Sequence, residues 1–567
     1  MKNEYLSNVI LRMSEDQKIG SLLTLGFTGT MVRPHIHDAI LKYHCGGLRL
    51  TPVSRLFGSY VDPKTGKKIM DVTDTKGFKE EMPPPYLTAS QYAAMLDELS
   101  EIAHSRPLGL PLHFSFDQEG GTSADFNFGG VNIFPKPMGI RASGDPNLAY
   151  EVARAVARQS KAVGFSWIHS PVLDVNTEPK NPEIYTRAYS DIAEEVAEYA
   201  IKTCEGFKDE MFIATGKHFP GRGASDVDAH FEMPVIKVDR DTMMNRELLP
   251  YRELIKRGLL PSVMIAHSIF PAFDENDIAT VSKPILSGLL RDTLGFDGVI
   301  TTDSMTMGGV ALRYGVANAC AMSLEAGADL VLMKAENALV GEVFAKIKEF
   351  VSTGRISRDE LDQKVYRVLK VKYDNGLFAS KARENLEVVM NDAGIVALSK
   401  NVARRSIIVR ANRDLPLQKN EKVLVVEQIN KTPNNCFWHP GILYKNCLRY
   451  NQSVDYLETA YTFDESDKER ILQNITKYDA VVVTNFYIRG KLSNNGFLEE
   501  LMSKAGSALP KIVVITNTPY PISVPKGCTN LVVSLATSPD NMEACAGVIF
   551  GEINAEGTWP ISWGKPE

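Results

Sequence analysis

Eight short apolar runs within the first 335 residues constrain the fold of this chain more than any other sequence feature. Most of them are continuously apolar rather than alternating, which is typical of parallel strands covered on both faces. Helical patterns, such as 148–164 and 191–207, fill the intervals. The runs lie at 21–27, 46–50, 111–117, 167–175, 212–220, 262–270, 298–304 and 329–335. Eight strand-then-helix units predict a TIM-type (β/α)8 barrel, with an open doubly wound sheet as the alternative.

A second α/β region follows the predicted barrel. Helical segments are expected at 337–353, 357–373 and 385–404, and strands then resume at 422–429, 480–486, 511–517 and 530–536. Alternation of these strands with helical pieces indicates a smaller three-layer α/β/α sandwich. We therefore predict a barrel domain over 1–375, a helical linker over 376–411 and a sandwich domain over 412–567.

The composition argues against nucleic-acid and membrane partners. Lys and Arg number 63 against 69 Asp and Glu, a net charge of −6, and no sustained cationic block offers a surface to phosphates. No unbroken apolar stretch of about 18 residues exists, and the N-terminus alternates apolar and charged residues, unlike a signal peptide. The seven cysteines form no C-x-x-C pair. We predict a cytoplasmic protein with reduced, buried thiols; the oligomeric state does not follow from the sequence.

Polar residues collect at the carboxyl ends of five predicted strands, where barrel enzymes build their active sites. One such residue alone could be a hydrogen-bonded structural group, the favoured interpretation for Asp174 and Asn176. Five ends together indicate an active site. The residues concerned are Asp117 to Gly121, Asp174 and Asn176, Lys217 to Gly221, His267, and Thr302 to Ser304. The long irregular segment 51–90 follows the second strand, so we expect it to overhang this face.

A possible proton-transfer pair follows the fifth strand. Asp228 and His230 lie two residues apart on a segment that begins with the glycine-containing stretch Arg222 to Ala224. A carboxylate at that spacing can orient an imidazole and hold its proton near neutral pH. An isolated surface histidine would be an equally good interpretation if this motif stood alone.

These motifs, in this order, resemble glycoside hydrolase family 3, specifically its β-N-acetylglucosaminidase (β-hexosaminidase) branch. The similarity covers most of the predicted barrel. The D-Q-E-G-G motif corresponds to Asp117–Gly121, and the K-H-F-P-G-x-G motif with its following D-x-H corresponds to Lys217–Gly223, Asp228 and His230. Further matches are P-V-L-D-V-N at 171–176, the sugar-binding arginine at Arg187, and L-R-x-x-L-G-F-x-G-V with its aspartate at 290–303.

The resemblance implies a retaining glycosidase that needs no metal or cofactor. Asp303 would be the nucleophile, and His230, paired with Asp228, would be the acid/base in place of a second carboxylate. Sugar hydroxyls or the N-acetyl group would be held by Asp117, Arg187, Lys217 and His218. The implied reaction releases terminal β-linked N-acetylglucosamine from short glycans or cell-wall fragments.

Three departures from the family pattern concern the surroundings of these residues, and one of them is that Arg187 stands within Tyr185–Tyr189 rather than in the usual R-S-F context. Thr122 follows D-Q-E-G-G where the family usually has arginine, so one expected sugar contact is missing. Arg222 stands where P-G-H-G has histidine. A histidine acid/base does not repel an anionic acceptor, so phosphorolysis with phosphate as the acceptor is an alternative to hydrolysis. Arg222 would then contact the anion, or form an ion pair that packs the loop.

Three further alternatives stay open at this point. The glycosidase could act on a sugar other than N-acetylglucosamine. A metal-dependent barrel hydrolase could use His35, His37, His218 and His267 as ligands, but Pro34 indicates that the first two lie on a helix start, away from the strand ends. A non-catalytic carbohydrate-binding protein would have no need of Asp303 beside a proton donor.

Overall fold

Eight parallel strands form the first sheet of the structure, a computed structural model. It describes residues 2–28, 32–51, 59–61, 68–71, 88–126, 130–227, 233–333, 339–379, 383–429, 441–488, 493–503 and 510–564. The strands are β1 (Leu23–Thr28), β2 (Gly47–Thr51), β3 (His113–Phe116), β4 (Trp167–Ile168), β5 (Ile213–Phe219), β6 (Ser262–Ile265), β7 (Val299–Thr302) and β8 (Val331–Met333).

These strands close into a barrel. Each pairs with its neighbour in chain order, and β1 also pairs with β8. The last gap is closed by a parallel bridge between Thr301 and Leu330, with the Thr302 amide donating to the Leu330 carbonyl at 3.0 Å. The TIM-type barrel prediction is confirmed, and the open-sheet alternative is wrong.

Helices surround the barrel and bury one apolar stripe each. The helix Pro146–Val163 begins after Asp145, whose side chain accepts from the Asn147 amide, and ends at Gly164, whose φ of 120° favours glycine. The main barrel-side helices are Lys2–Arg12, Glu15–Ser21, Pro34–His37 continuing into Asp38–Lys42, Ala89–His104, Pro137–Ala142, Pro146–Val163, Ala193–Asp209, Met243–Glu247, Leu249–Lys256, Pro284–Thr293, Gly308–Tyr314, Val316–Ala326, Leu339–Ser352 and Arg358–Asp374.

The fourth strand is much shorter than the predicted run 167–175. It ends at Ile168, just before Ser170 and Pro171. Proline cannot donate a backbone hydrogen bond to a sheet, so the ladder is interrupted there. Beyond it, one bridge pairs Val172 with Lys217, which keeps the segment that carries Asp174 beside β5.

A second sheet of six strands follows. Its strands are β9 (Ile408–Asn412), β10 (Val423–Gln428), β11 (Val454–Thr459), β12 (Ala480–Thr484), β13 (Lys511–Thr516) and β14 (Asn530–Val533), and the helices are Ile442–Cys447, Glu465–Ile475, Asn495–Ser503 and Pro539–Ile549. The strand order is β9–β14–β13–β12–β10–β11, and β9 runs antiparallel to β14 while the other pairs are parallel. Alternate residues of β10 face two separate cores: Val423 and Val425 face one, and Leu424 and Val426 face the other. The three-layer sandwich is confirmed.

The segment predicted as a helical linker, 376–411, contains helices and the start of the second sheet. Two helices, Leu386–Met390 and Ala393–Ser406, occupy much of that segment, but β9 of the second sheet already begins at Ile408. Strands β9 and β11 were not expected, because their side chains are only partly buried and their runs are less apolar. The domain boundaries 1–375, 376–411 and 412–567 all stay predictions.

The sandwich packs directly on the barrel. Met138, Ala142 and Tyr185, from loops and helices after β3 and β4, belong to the same apolar core as one face of the second sheet. The Tyr185 and Tyr487 rings meet edge to face with centroids 5.1 Å apart. Asn176 donates to the Tyr520 hydroxyl at 2.9 Å. The sandwich therefore supports loops that emerge from the barrel's carboxyl end.

Other sequence expectations have mixed outcomes. Of the six described cysteines, all unpaired, five are buried and Cys528 is partly so. None of the helices in the described part of the chain is long and apolar enough to span a bilayer. Most of segment 51–90 lies outside the described residues, apart from a hairpin of Ser59–Val61 with Lys68–Asp71.

Candidate active site

Asp117 directly follows β3 and lies among three cationic or polar side chains. Its Oδ1 is 3.1 Å from Lys217 Nζ and 3.3 Å from His169 Nδ1, and its Oδ2 accepts from Arg49 Nη2 at 2.5 Å. The Asp117 side chain is 17% exposed, whereas those of Lys217 and Arg49 are 3% and 0% exposed. Asp117 is therefore the member of this group that a ligand in the barrel mouth meets first.

Glu119 joins two of the predicted sugar-binding cations. Arg187 donates to both Glu119 oxygens, at 2.7 and 2.9 Å, and Lys217 Nζ lies 2.6 Å from Oε1. Burial alone would raise the pKa of Glu119, but the charges of Arg187 and Lys217 outweigh burial and lower that pKa to about 2. Glu119 is therefore ionised at neutral pH and holds both cations in place.

His218 and Asp174 form a buried dyad beside this cluster. His218 Nδ1 lies 2.7 Å from Asp174 Oδ2, and the Arg222 amide donates to Oδ1 of the same carboxylate at 2.8 Å. Burial raises the pKa of Asp174 to about 6, against the nearby charge of Arg222. Burial, followed by the charges of Arg222, Arg187 and Lys217, lowers the pKa of His218 well below its usual range.

A neutral imidazole beside an ionised carboxylate has a defined tautomer at neutral pH. The carboxylate of Asp174 can only accept, so the His218 proton lies on Nδ1. Nε2 of His218 is then an acceptor, and it lies 3.5 Å from Arg187 Nη2. Its lone pair faces the Arg187 guanidinium, so the dyad connects the segment after β4 to the Arg187–Glu119 pair.

Two adjacent strand residues enter this cluster because β5 carries a bulge. Neighbouring side chains of a regular strand point to opposite faces. In β5, however, Lys217 pairs with Met264 and Phe219 with Ile265, so His218 is an extra residue in the ladder. A bulge re-aims the side chains beside it. Lys217 and His218 can therefore both reach partners in one cluster.

Asp303 lies at the carboxyl end of β7, the same end of the barrel as Lys217 and His218. It is partly exposed, and its Oδ1 accepts from the Ser304 amide at 2.7 Å. Nε2 of the buried His267 lies 3.1 Å from the Ser304 carbonyl, and its Nδ1 lies 2.7 Å from the Thr280 hydroxyl. His267 therefore connects the end of β6 to the turn that presents Asp303.

The arrangement suits a neutral, hydroxyl-rich ligand. Its cations are matched by carboxylates, so the cluster carries no large excess charge, and it exposes both hydrogen-bond donors and acceptors. Within the described ranges, no group of three or more His, Cys, Asp or Glu side chains is arranged to hold a metal ion. His35 and His37 lie exposed on the helix Pro34–His37, as the position of Pro34 predicts, whereas His218 and His267 are buried at strand ends.

Residues 16–371 match the model of the Glycosyl hydrolase family 3 N terminal domain. The chain belongs to glycoside hydrolase family 3. This family 3 chain is 29% identical over 304 residues to the beta-hexosaminidase A of Pseudoalteromonas piscicida. The aligned region covers 50% of this chain and 51% of that relative. It is also 32% identical over 287 residues to the beta-hexosaminidase of Nitrosomonas eutropha. That aligned region covers 49% of this chain and 81% of the relative.

A solved structure extends the similarity over both units of this family 3 chain. A family 3 beta-N-acetylglucosaminidase from Paenibacillus sp. str. FPU-7 superimposes with a TM-score of 0.84 at 28% identity, covering 98% of this chain and 100% of the other. The match to the Pseudoalteromonas relative, by contrast, spans about half of that protein's length. The recognition of family 3 from the sequence motifs is confirmed.

Four of the predicted site residues lie in one connected cluster. Asp117, Lys217, Arg187 and His218 are linked through Glu119 or by direct approach. Asp303 lies at the same end of the barrel. Asp228 and His230 lie outside the described residues. The catalytic and binding roles of all seven residues stay predictions.

Several members of the cluster were not predicted. Glu119 is part of D-Q-E-G-G but was given no role of its own, and His169 stands within the predicted apolar run 167–175, just after β4. Arg49 was visible as a lone charge in the otherwise apolar run 46–50. The structural interpretation of Asp174 and Asn176 agrees with their buried hydrogen bonds to His218 and Tyr520. Such pairings join distant parts of the chain, so spacing alone does not reveal them.

Proposed function

We propose that this chain is a retaining exo-β-glycosidase that releases terminal β-linked N-acetylglucosamine from short glycans or cell-wall fragments. The observation that carries this proposal is the position of Lys217 Nζ. It lies within ion-pair distance of both Asp117 and Glu119, while Arg187 binds Glu119 from the other side. A set of donors and acceptors held this firmly suits one sugar ring at the end of a chain. The names of the beta-hexosaminidase relatives support the same substrate class.

The proposed reaction passes through a covalent glycosyl-enzyme. Asp303 attacks the anomeric carbon, and His230, oriented by Asp228, protonates the leaving oxygen. His230 then deprotonates the water that releases the sugar. The oxocarbenium-like transition state is stabilised by the carboxylate on one face of the ring and by the proton donor beside the leaving group. The proposal includes no metal or cofactor, and it keeps the cytoplasmic location predicted from the sequence.

Phosphorolysis is the second candidate, and Arg222 bears on it. Its Nη2 donates to Glu183 at 2.8 Å, and both side chains are 2% exposed, which favours the packing ion pair over a contact with an external anion. The charge argument for a histidine acid/base still permits phosphate as the acceptor. Hydrolysis is therefore the primary proposal, and phosphate is a variable of its test.

Initial rates on a matched chromogenic panel test the substrate. The panel comprises the β-N-acetylglucosaminide, β-glucoside, β-xyloside and β-galactoside, each with chelator and each with or without phosphate. We expect preferential turnover of the N-acetyl sugar, unaffected by chelator. Stimulation by phosphate together with a sugar 1-phosphate product would replace hydrolysis by phosphorolysis. Loss of turnover with chelator would favour a metal-dependent hydrolase.

Substitution of Asp303 tests the mechanism. We expect Asp303→Ala to lower kcat by at least about 10³-fold and to leave binding of N-acetylglucosamine largely intact, because the nucleophile forms a bond only during reaction. Asp297→Ala is the matched control, since Asp297 is exposed just before the other end of β7. Unchanged turnover in Asp303→Ala would refute the nucleophile assignment, whereas binding without turnover in the wild type would indicate a carbohydrate-binding protein.

A further inference from the structure

Arg49 is a buried cation in the middle of an apolar strand. It lies on β2 between Leu48 and Leu50, which are fully buried, and its own side chain is 0% exposed. A buried guanidinium is costly unless carboxylates and hydrogen-bond acceptors surround it. A purely structural β2 would be served at least as well by an aliphatic residue at this position. The reason for a charged residue at this position therefore lies in the groups that Arg49 contacts.

Arg49 joins two carboxylates from the segment that follows β3. Its Nη2 donates to Asp117 Oδ2 at 2.5 Å and also to Asp125 Oδ2, while Nη1 donates to the Leu50 carbonyl at 2.8 Å. Burial alone would lower the pKa of Arg49, but the carboxylates of Asp125 and Asp117 outweigh it and raise that pKa. The guanidinium is therefore charged, and β2 anchors it.

Asp125 holds the other side of the same group. Its Oδ2 accepts from the Asp117 amide at 2.8 Å, and its own amide donates to the Asp117 carbonyl at 2.8 Å. Asp125 is 3% exposed, so it serves the fold rather than a ligand. Asp125 thus fixes the backbone of Asp117, and Arg49 fixes one of its carboxylate oxygens. Lys217 and His169 approach the other oxygen.

We propose that Arg49, held by Asp125, is the positioning residue that orients the Asp117 carboxylate toward the terminal sugar and thereby sets the hydroxyl configuration that the site accepts. The inference rests on the proposed glycosidase function. Arg49 is fully buried, and it acts on a ligand through Asp117, which is partly exposed. It supplies a cation to Asp117 from β2, in a chain where Thr122 stands in place of the arginine expected after D-Q-E-G-G.

Lysine is the informative replacement at this position. Arg49→Lys keeps the charge, but a single ammonium cannot reproduce the planar fork that donates to two carboxylates and a carbonyl. Misplacement of a binding group by about 1 Å can cost about 100-fold in rate. We therefore expect Arg49→Lys to lower kcat/KM for the β-N-acetylglucosaminide by about 30- to 100-fold.

A double-mutant cycle separates positioning from a general structural role. If Arg49 acts through Asp117, then Arg49→Lys should change kcat/KM less than about threefold when Asp117→Asn is already present. Activated aryl glycosides and high enzyme concentration keep the slow variants measurable. In the single variant, the preference for the β-N-acetylglucosaminide over the β-N-acetylgalactosaminide, which differs in one hydroxyl configuration, should also fall. If the substitution merely lowered the fraction of folded protein, the rates on the two N-acetylated glycosides would fall by the same factor.

Arg291→Lys is the matched control. Arg291 also donates to a buried carboxylate, that of Asp329. Arg291 precedes β7 and Asp329 precedes β8, so this pair lies at the opposite end of the barrel. We expect Arg291→Lys to lower Tm while leaving the ratio of the two substrates unchanged. If Arg49→Lys does not fold, Asp125→Asn weakens the same anchor and should shift the substrate ratio in the same direction.

Three results would overturn the inference. They are an Arg49→Lys effect of equal size with and without Asp117→Asn, an unchanged substrate ratio, and a loss of Tm without any loss of kcat/KM. If the wild type prefers another glycoside, the proposed sugar is wrong and the cycle is run on that glycoside. A folded wild type without any glycosidase activity refutes both proposals.

Discussion

The carboxyl edges of the barrel strands and of the parallel strands in the sandwich hold polar side chains in contrasting ways. At the barrel mouth, charged groups hold one another, as Glu119 does with Arg187 and Lys217, and Asp117 stays partly exposed. At the sandwich edge the polar groups are mostly amides that bind backbone groups. Their oxygens and nitrogens are both engaged, and their exposures run from 0% to 7%, in Gln428, Asn485, Asn494 and Asn517.

This difference shows why a polar strand end alone does not define a site. An amide whose donor and acceptor are both used by the protein has little left for a ligand, so it stabilises a loop. A carboxylate with several neighbours in a partly exposed position can accept another hydrogen bond or exchange one. The barrel mouth is therefore the candidate active site, and the sandwich edge is a support.

Glu119→Gln tests the charged edge and should have the largest effect. It leaves Arg187 and Lys217 with less counter-charge in a buried place, which costs about 3–5 kcal/mol of unfolding free energy at neutral pH. We also expect at least about a 100-fold loss of kcat/KM, because both cations lose their shared anchor. Denaturant unfolding and initial rates measure the two effects. Wild-type stability in this variant would contradict the charged-anchor account.

Two buried glutamates, one at each edge, have pKa values that are shifted in opposite directions. The folded-state pKa of Glu119 is lowered from 4.5 to about 2, so its contribution to stability is present above pH 4.5 and is lost as the pH falls toward 2. Burial raises the pKa of Glu427, at the sandwich edge, from 4.5 to about 7. Its effect on stability has the opposite sign, since stability falls as the pH rises from 4.5 to 7.

Glu427→Gln is therefore the counterpart of Glu119→Gln. We expect it to remove a loss of stability between pH 4.5 and 7, whereas Glu119→Gln removes a loss between pH 4.5 and about 2. Denaturant unfolding across this pH range measures both slopes. If both substitutions changed the dependence of unfolding free energy on pH in the same pH range, the two edges would shift the pKa of a buried carboxylate in the same direction.

Asn485→Ala tests the amide edge and should have an intermediate effect. Asn485 donates to Asn495 at 2.7 Å and to the Ser523 carbonyl at 2.9 Å, and it accepts from the Asn494 amide at 3.2 Å. Loss of these buried bonds should cost about 1–3 kcal/mol of unfolding free energy. The kcat/KM ratios on the glycoside panel should stay unchanged. A shifted ratio would give the sandwich edge a role in substrate selection.

Tyr520→Phe tests the contact between the two units and should have the smallest effect. It removes the hydrogen bond from Asn176 to the Tyr520 hydroxyl while keeping the ring, which should cost about 0.5–1.5 kcal/mol. We expect a small fall in Tm and less than about a threefold change in kcat/KM. A larger kinetic change would show that the sandwich positions the segment after β4 for the reaction.

Much of the fold was predictable because it depends on local periodicity. The eight apolar runs identified the barrel strands to within a few residues at most ends, since a buried parallel strand must be apolar on both faces. The fourth run was overextended across Pro171, and β9 and β11 were missed because their side chains are only partly buried. The motifs also identified Asp117, Arg187, Lys217 and His218, which do lie in one cluster.

Patterns along the chain were sufficient to predict most of the strands, the family and the residue types available for chemistry. Which of the charges meet depends on the tertiary structure. The pairing of Arg49 with Asp117 and Asp125 joins residues more than 60 positions apart, and the bulge in β5 brings Lys217 and His218 into one cluster. Such contacts depend on register and on barrel closure, which no local spacing encodes.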